Sequence, residues 1–536
     1  MRSTDMDVLI VGGGPAGLAA AIQAKKRLTE TNRNGSVVVI EKASKPGYHA
    51  LSGATFEDHC LDALVPDWEK QEVPFVKHML EQRVVNDSIH FMTKRLHVPV
   101  PGVFLPRNMK HKGDVVVSVS KLIDWLARKA MELGVEIYTG YSAHEILIEG
   151  DRVRGVVLGE KGIGRDGGKR TNYMPEETLR AAVTVFADGC LGTLSTKLIQ
   201  RFRLDEGRNP QVYSLGIKQI IKLPEENRFG NNRSIHSIGY PNRWNVFGGG
   251  FLYDMGKQTM AIGLALGLDW RYFDLNPQQE LELYKKHPFV ARLIEGGEVI
   301  AAGVKTIPEG GYYSIPRLHV DGALLVGDAA GLLNMAKIRG LHLSIESGMA
   351  AGDTAVEALA KRDVSDASLE SYDRKLEARG VIKEMRSARN FRQVFTSKAG
   401  LFLGAPLSLV QQWLPLRLGL KPDYRQMSRR SIRRTYGAAL DRKTFVAHSG
   451  ALHDEELKSH IRIPDNVKCR QCMERFNNPC VYFCPGEIYT LNQEEKEIDI
   501  HFADCMHCKT CMVKCPMENI VWEAPEGGQG PKYRQM

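Results

Sequence analysis

The chain has 536 residues, of which 43% are hydrophobic and 25% are charged, an ordinary composition for a globular protein of several domains. The 72 lysines and arginines exceed the 63 aspartates and glutamates by a net charge of +9, too mild an excess to indicate nucleic-acid binding. We find neither a cleavable secretory signal before the apolar run at Val8 nor an uninterrupted membrane-spanning segment.

The first motif is an apolar strand over residues 7–11 that runs into a glycine-rich turn and then an alanine-rich helix over residues 18–28. Its spaced glycines suit a tight turn, close approach to a pyrophosphate, and close packing of helix on strand. A second apolar strand ends at Glu41, which is placed to hydrogen-bond a ribose hydroxyl. A glycine-rich turn without a ligand is the alternative, but the combination favours dinucleotide binding. The glycines are Gly12, Gly14 and Gly17.

Two later segments favour FAD over NAD as the dinucleotide. Residues 183–189 form an apolar strand that runs into a turn of small residues, and residues 323–331 carry a similar turn. Both resemble segments of FAD-binding proteins of the glutathione-reductase class, and they occur in the same order. The residues predicted to contact FAD in these two turns are Asp188, Gly189, Gly327 and Asp328.

Each of these assignments has a plainer alternative. Asp328 could simply cap the helix that follows it, and residues 183–189 could be an ordinary core strand. We also place Ser52 and Gly53 near the flavin, with an ordinary loop as the other interpretation.

The middle of the chain changes to alternating strands, at residues 213–218 and 260–268, which predicts a β-sheet domain inserted between the flavin motifs. Gly248 and Gly249 lie in a third strand of this region. Backbone without side chains could let a flat ring approach there, although a bulged strand explains the glycines equally well.

Two stretches are suited to contact with a membrane surface. Residues 98–106 form an apolar, proline-rich loop, and residues 401–420 form an apolar segment with Trp413 near its polar end. Nine lysines and arginines against two aspartates follow between Arg417 and Lys443. An apolar segment beside cations suits attachment to anionic lipid, whereas a buried helix with a solvated basic face is the alternative. The basic run lacks the interleaved aromatic residues that nucleic-acid binding favours.

Eight of the ten cysteines lie from Cys469 onward, in two runs that each close with Cys-Pro. The second run has the spacing by which ferredoxins hold a [4Fe–4S] cluster, with the last cysteine of each run serving the other cluster. A zinc ribbon is the alternative, but it needs two CxxC pairs. The first run is Cys469, Cys472, Cys480 and Cys484, and the second is Cys505, Cys508, Cys511 and Cys515.

Taken together, these motifs resemble the electron-transfer flavoprotein:ubiquinone oxidoreductases over essentially the whole chain. The segments that carry the resemblance are residues 11–21, 41–44, 51–54, 98–101, 248–253, 314–316, 483–485, 505–511 and 525–528. The last three are specific to the family, whereas the first is shared by many flavoproteins.

The resemblance implies a monotopic enzyme with FAD, a [4Fe–4S] cluster and a quinone pocket, which passes electrons from reduced electron-transfer flavoprotein to a membrane quinone. Gly248 and Gly249 would then contact the quinone ring. The resemblance also implies a location at the cytoplasmic face of the inner membrane. The family's cluster would be held by Cys484, Cys505, Cys508 and Cys511.

We therefore expect α/β and α+β architecture: a Rossmann-like FAD-binding domain of the glutathione-reductase class, an inserted β-sheet quinone domain and a C-terminal ferredoxin-like domain. The expected divisions are residues 1–200 and 306–398 for the FAD-binding domain, 201–305 for the quinone domain, 399–445 for the membrane-associating segment and 446–536 for the iron–sulfur domain.

The chain departs from the family pattern in four additional cysteines. By the ferredoxin crossover rule they predict a second cluster, while vestigial thiols or a structural zinc are the alternatives. Three rival functions remain open: a geranylgeranyl-reductase-like flavoenzyme, an electron-bifurcating flavoprotein of the nitrogen-fixation type, and a non-catalytic iron–sulfur carrier. The additional cysteines are Cys469, Cys472, Cys480 and Cys515.

Overall fold

A computed structural model describes residues 2–53, 55–102, 105, 109–397, 399–413, 416–434, 436 and 442–536. Parts of four predicted segments lie outside the described residues: Ala54 of the 51–54 motif, Val103, Phe104 and Pro106 of the proline-rich loop, Leu414 and Pro415 of the apolar segment, and Thr435 and residues 437–441 of the basic run.

The first part of the chain alternates strands and helices. Its elements are β1 (Arg2–Val11), α1 (Pro15–Glu30), β2 (Val37–Glu41), β3 (Thr55–Phe56), α2 (Cys60–Leu64), α3 (Pro74–Glu81), β4 (Asn86–Met92), β5 (His97–Pro99), β6 (Val115–Val116), α4 (Val119–Glu132), β7 (Glu136–Thr139), β8 (Ala143–Glu149), β9 (Arg152–Leu158), β10 (Lys161–Ile163), β11 (Lys169–Met174), β12 (Glu177–Phe186) and α5 (Thr193–Phe202).

A run of long strands follows, closed by two short helices and a last strand. These elements are β13 (Tyr213–Lys222), β14 (Arg233–Gly239), β15 (Gly248–Gly256), β16 (Thr259–Gly267), α6 (Pro277–Lys285), α7 (Pro288–Leu293) and β17 (Glu298–Pro308).

Helices then dominate up to the cysteine-rich region. These elements are β18 (His319–Val320), β19 (Ala323–Leu325), α8 (Leu341–Lys361), α9 (Asp366–Leu369), α10 (Ser371–Ala378), α11 (Val381–Ser387), α12 (Leu401–Val410) and α13 (Arg442–Ser449).

The cysteine-rich region consists of short elements. They are β20 (Ile461–Arg462), α14 (Asn466–Phe476), α15 (Cys480–Phe483), β21 (Tyr489–Asn492), β22 (Glu497–Ile500), α16 (Thr510–Lys514) and β23 (Val521–Trp522).

The first sheet has the strand order β18-β19-β12-β1-β2-β7, and β19, β12, β1, β2 and β7 run parallel. Its central strands are apolar because both faces of such a parallel sheet are buried. The parallel strands end at a common edge, so the turns after β1, β2 and β12 lie together there.

The second sheet has the order β17-β13-β16-β15-β14-β4-β5 and is antiparallel except where β14 pairs with β4. Strands β4 and β5 come from the part of the chain that the sequence assigned to the first domain. The inserted sheet is therefore completed by an earlier segment, through a pairing between Asn86–Met92 and Arg233–Gly239 that joins distant stretches of sequence.

The cysteine-rich region packs against the second sheet and its helices. The side-chain amide of Gln278 donates to the carbonyl of Pro485 at 2.8 Å, and Lys514 Nζ donates to the carbonyl of Trp270 at 2.5 Å. Among the described residues, no helix is both long and apolar enough to cross a membrane.

Candidate active site

A cavity lies where the common edge of the first sheet meets the face of the second. The sequence predicted a dinucleotide at this edge, and most of the predicted contact residues line the cavity. They are Gly12, Gly14, Glu41, Ser52, Gly53, Asp188, Gly189 and Asp328.

The glycine turn leaves room for a ligand at one position and is tightly packed at the others. A Cβ at Gly14 would meet nothing within 4 Å, although the residue lines the cavity. A Cβ at Gly12, which has φ +107°, would lie 2.4 Å from the carbonyl oxygen of Ala187. At Gly17 it would lie 2.0 Å from the carbonyl oxygen of Gly12. Gly17 thus lets α1 pack closely against β1.

Two carboxylates at the cavity wall accept backbone hydrogen bonds. Glu41 accepts from the N–H groups of Gly13 at 2.8 Å and Ala43 at 2.7 Å. Oδ2 of Asp188 accepts from Leu194 N–H at 2.9 Å and so caps the start of α5. Oδ1 of Asp188 is buried and has no hydrogen-bond partner among the described residues, which leaves it available to a ligand.

Asp328 does not cap the helix that follows it, so that interpretation is wrong. It lies in a 3₁₀ turn, Gly327–Ala330, whereas α8 begins at Leu341 after an intervening loop. Burial raises the pKa of Asp328 to about 6, and Lys305 acts in the opposite direction. The carboxyl group is placed in the cavity wall.

The second sheet contributes ionisable residues that sequence reasoning missed. Lys218 Nζ donates to the carbonyl of Ser52 at 3.0 Å, and burial lowers the pKa of this lysine to about 7. The Tyr253 hydroxyl shares a 2.6 Å hydrogen bond with Nε2 of His236. Lys218 and Tyr253 line the cavity. Tyr253 lies in the 248–253 segment that carries the family resemblance, whereas no local motif distinguishes Lys218 or His236 from other residues of alternating strands.

Gly248 and Gly249 are required by strand packing. A Cβ at Gly248 (φ +123°) would lie 1.9 Å from the carbonyl oxygen of Ala265, and a Cβ at Gly249 would lie 2.2 Å from that of Ser237. The cavity lining reaches this region at Ala265, directly opposite Gly249, and includes neither glycine. The backbone geometry therefore accounts for both glycines without a ligand.

Four of the cysteines surround a small cavity next to the larger one. Lys509 lines both cavities, and its Nζ donates to the carbonyl of Leu191 at 2.5 Å. The Thr306 hydroxyl donates to the carbonyl of Cys508, which fixes this loop against the second sheet. We call these four cysteines the inner set: Cys484, Cys505, Cys508 and Cys511.

The inner set fits a cluster, and the large cavity fits FAD. Burial raises the pKa of Cys505 and Cys511, and hydrogen bonds from the buried side chains of Trp522 and Tyr489, respectively, act in the opposite direction. Hydrogen bonds to cluster sulfurs are a known means of tuning such centres. In the large cavity, the open space at Gly14 and the free Oδ1 of Asp188 offer unfilled positions to a dinucleotide.

Three buried histidines, His453, His460 and His507, lie beside the inner set with one nitrogen of each within 4.8 Å of the others. His453 Nε2 hydrogen-bonds the carbonyl of Cys505 at 3.0 Å. Burial and then neighbouring charges lower the pKa of His460 and His507, and Lys42 is among those charges. Of the three, only His507 stands in a sequence motif.

The remaining four cysteines form an outer set. Cys469 and Cys472 lie on α14, Cys480 begins α15, and Cys515 directly follows α16. None of them lines the large cavity.

The apolar segment forms a largely exposed helix, and the buried-helix interpretation is wrong for it. Gly404 is the only buried residue of α12, while Phe402 is 71% exposed. Trp413, just beyond the helix, is 69% exposed. The basic run has a partly internal role, since Arg434 pairs with the buried Glu280.

Comparison with known proteins matches three segments of the chain. Residues 437–534 match the family described as "Electron transfer flavoprotein-ubiquinone oxidoreductase, 4Fe-4S", and residues 213–307 match "ETF-QO, ubiquinone-binding". Residues 10–71 match an NAD(P)-binding Rossmann-like domain.

Among solved structures, the chain is similar to a geranylgeranyl bacteriochlorophyll reductase-like protein from Thermoplasma acidophilum. The TM-score is 0.54 at 17% identity, covering 77% of this chain and 96% of that one. A flavin-dependent brominase, Bmp2, gives a TM-score of 0.50 at 17% identity, covering 75% and 90%. This likeness concerns the fold alone, and it confirms the predicted fold class.

Relatives over the full length are more specific. The electron transfer flavoprotein-ubiquinone oxidoreductase of Pseudomonas aeruginosa is 35% identical, covering 99% of both chains. The human mitochondrial protein of the same name is 32% identical, covering 99% of this chain and 89% of its own length. With this identity sustained from end to end, the chain belongs to the electron transfer flavoprotein-ubiquinone oxidoreductase family.

Proposed function

We propose that this protein passes electrons from reduced electron-transfer flavoprotein to a membrane quinone. One observation carries the proposal: the large cavity and the inner set of thiols share Lys509 as a common wall. A cavity suited to FAD and a cradle suited to a [4Fe–4S] cluster are therefore neighbours in one chain of this family.

Named residues would hold each group. The FAD contacts are assigned to Gly12, Gly14, Gly17, Glu41, Ser52, Gly53, Asp188, Gly189, Gly327 and Asp328, and the cluster to the inner set. When bound, FAD supplies one- or two-electron chemistry and the cluster one-electron chemistry. The protein supplies orientation and electrostatics.

The quinone is assigned to the region of Gly248 and Gly249, next to Ala265, which pairs with Gly249 and lines the cavity. Formation of a quinol consumes two protons for every two electrons. The hydrogen-bonded Tyr253 and His236 form an ionisable pair at this wall, and Nδ1 of His236 is a buried atom without a partner among the described residues. The pair can hold and pass a proton at the Tyr253 hydroxyl.

The exposed face of α12 is assigned to the membrane surface. Phe402 and Trp413 would enter the interfacial region of the lipid, and exposed cations of the basic run such as Arg433 would meet its anionic headgroups. Peripheral attachment at the cytoplasmic face of the inner membrane is part of the proposal.

The proposal also keeps the predicted domain division. The FAD-binding domain spans residues 1–200 and 306–398, the quinone domain 201–305, the membrane-associating segment 399–445 and the iron–sulfur domain 446–536, with β4 and β5 completing the inserted sheet.

The experiment is a steady-state assay of purified protein with measured FAD and iron content. Reduced electron-transfer flavoprotein is the donor and a soluble ubiquinone analogue the acceptor. We expect quinol formation that depends on both. A prenyl-lipid substrate with reduced nicotinamide as donor serves as the contrasting assay. Turnover there, with none of the quinone, would contradict the proposal.

A further inference from the structure

The outer set of cysteines is not needed by the family's cluster, yet the fold gathers it into one place. Cys469 and Cys515 stand far apart in sequence, and both sulfurs accept hydrogen bonds from Asn519. The side-chain amide of Asn519 donates to Cys469 Sγ at 3.4 Å, and its backbone N–H donates to Cys515 Sγ at 3.4 Å. One asparagine thus links the two runs of cysteines.

The other two thiols complete the same group. Cys472 lies one turn after Cys469 on α14, and the charges of Cys515 and Cys469 act on its thiol. Cys480 begins α15, and the charges of Cys515, Cys472 and Cys469 act on its thiol. Both thiols therefore have the other outer cysteines as neighbours, and four thiolates brought together are a ligand set that a bound cation stabilises.

The inner set has mainly its own neighbours, although the charge of Cys484 is the last of those that act on Cys480 of the outer set. The thiols that act on Cys511 are Cys508, Cys505 and Cys484, all of the inner set. The eight sulfurs therefore separate into two groups of four, and each group takes three cysteines from one run and one from the other. This is the exchange found in ferredoxins with two clusters.

The spread of the sulfurs favours a cluster over zinc. Zn–S bonds of about 2.3 Å bring four tetrahedral sulfurs within about 4 Å of one another. Among the described residues, the groups of three or more ligand atoms within 4.8 Å of one another are His453, His460 and His507, and Glu57, His342 and Glu384, with no cysteine group. In a [4Fe–4S] cluster each sulfur binds a different iron, so the sulfurs stand farther apart.

We propose that Cys469, Cys472, Cys480 and Cys515 bind a second [4Fe–4S] cluster, with Asn519 donating hydrogen bonds to two of its ligand sulfurs. The short helix α15 separates Cys480 of the outer set from Cys484 of the inner set, so the two sites are adjacent. The outer site lies beneath α14, whose Lys468 and Arg470 are exposed.

The test is to count iron and acid-labile sulfide in anaerobically reconstituted full-length protein. We expect about eight of each per chain. In Cys472→Ser the iron should fall by half, to about four, while FAD per chain is unchanged. Cys60→Ser is the matched control, because Cys60 is a buried thiol outside both sets, and it should keep the full iron content.

A spectroscopic measurement covers the case in which Cys472→Ser does not fold. The dithionite-reduced wild-type protein should show an electron paramagnetic resonance signal broadened by coupling between two clusters. About four irons in the wild type, about one zinc beside four irons, or full iron in Cys472→Ser would each overturn the proposal. The iron counts do not depend on the electron donor or the quinone, so they can contradict the second cluster while the proposed function stands.

Discussion

The alanine-rich first part of helix α1 and the whole of helix α12 are apolar, but they lie in opposite surroundings. Most of α1 is buried, from Ala16 to Leu28, against the first sheet and α8. In α12 only Gly404 is buried, although the helix carries no charged residue. Packing explains the composition of α1, whereas nothing within the described fold covers the outer face of α12. The exposed apolar face of α12 is therefore suited to contact with a surface outside this chain.

The α1 side of this comparison depends on close backbone contacts. A Cβ at Gly348 of α8 would lie 2.1 Å from the carbonyl oxygen of Ala16, and one at Gly352 would lie 2.6 Å from that of Ala20. Small residues thus let the two helices touch, and a buried interface at this density tolerates little added volume.

The largest effect is expected where α1 packs against β1 and the glycine turn. Gly17→Ala places a methyl group 2.0 Å from the carbonyl oxygen of Gly12, and the strain should lower the free energy of unfolding by about 3 kcal/mol. FAD content should fall as well, because the turn itself must shift. The measurements are thermal unfolding and FAD per chain.

Gly102→Ala is the control, since a Cβ there meets nothing within 4 Å. It should leave both quantities unchanged. If Gly17→Ala were equally harmless, the turn would not be packed as described, and the contrast with α12 would lose its basis.

The α12 side is tested by the double substitution of Phe402→Ser and Trp413→Ser. Each side chain should contribute about 1.5–3 kcal/mol when it leaves water, so binding to vesicles should weaken by about 100-fold or more. Fold and FAD content should not change, because both side chains are largely exposed. Co-sedimentation with vesicles of phosphatidylethanolamine and phosphatidylglycerol gives the affinity.

Leu452→Ser is the matched control for vesicle binding. Like Phe402 and Trp413, Leu452 is a largely exposed apolar residue, with 60% of its surface exposed, but it belongs to the cysteine-rich region. It should bind vesicles as the wild type does. If the double variant bound vesicles as tightly as the wild type, the assignment of α12 to the membrane surface would be wrong.

A smaller effect is expected at the cavity edge that α1 helps to form. Glu41→Ala removes the acceptor of two backbone hydrogen bonds and the expected ribose contact, so FAD affinity should drop by roughly 10–100-fold. Fluorescence titration of the FAD-free protein measures it. Glu30→Ala, at the exposed end of α1, should bind FAD normally, and normal binding by Glu41→Ala would argue against the ribose contact.

The smallest effect concerns the charge at the second sheet. Lys218→Met removes a buried amine from the cavity wall, and loss of that positive charge should make the FAD midpoint potential more negative by roughly 30 mV, about 1.4 kcal/mol for two electrons. Lys222→Met, an exposed lysine on the same strand, is the control. An unchanged potential in a spectroelectrochemical titration would place Lys218 away from the flavin.

Features encoded by neighbouring residues could be predicted from the sequence. The strand, the glycine turn and Glu41 stand within 35 residues of each other along the chain, and each has a known geometric role. Spacing and one ferredoxin rule also predicted the four cysteines that line the small cavity, whereas the second cluster on the outer set stays a prediction.

Features that depend on distant pairings could not be predicted. The pairing of β4 with β14 and the position of Lys218 in the cavity wall arise from tertiary contacts, which alternating strands do not reveal. The sequence did not show that a loop lies between Asp328 and α8, so it could not exclude a capping role for this residue. His453 and His460 reach the inner set through the fold alone.

The most direct test of the account is an anaerobic two-step mixing experiment with the purified protein. Reduced electron-transfer flavoprotein is added first, and vesicles containing ubiquinone second. We predict that the visible absorbance of the bound FAD bleaches in the first step and recovers in the second, with quinol formed in proportion. FAD that stays oxidised with this donor, or that ubiquinone does not reoxidise, would contradict the account.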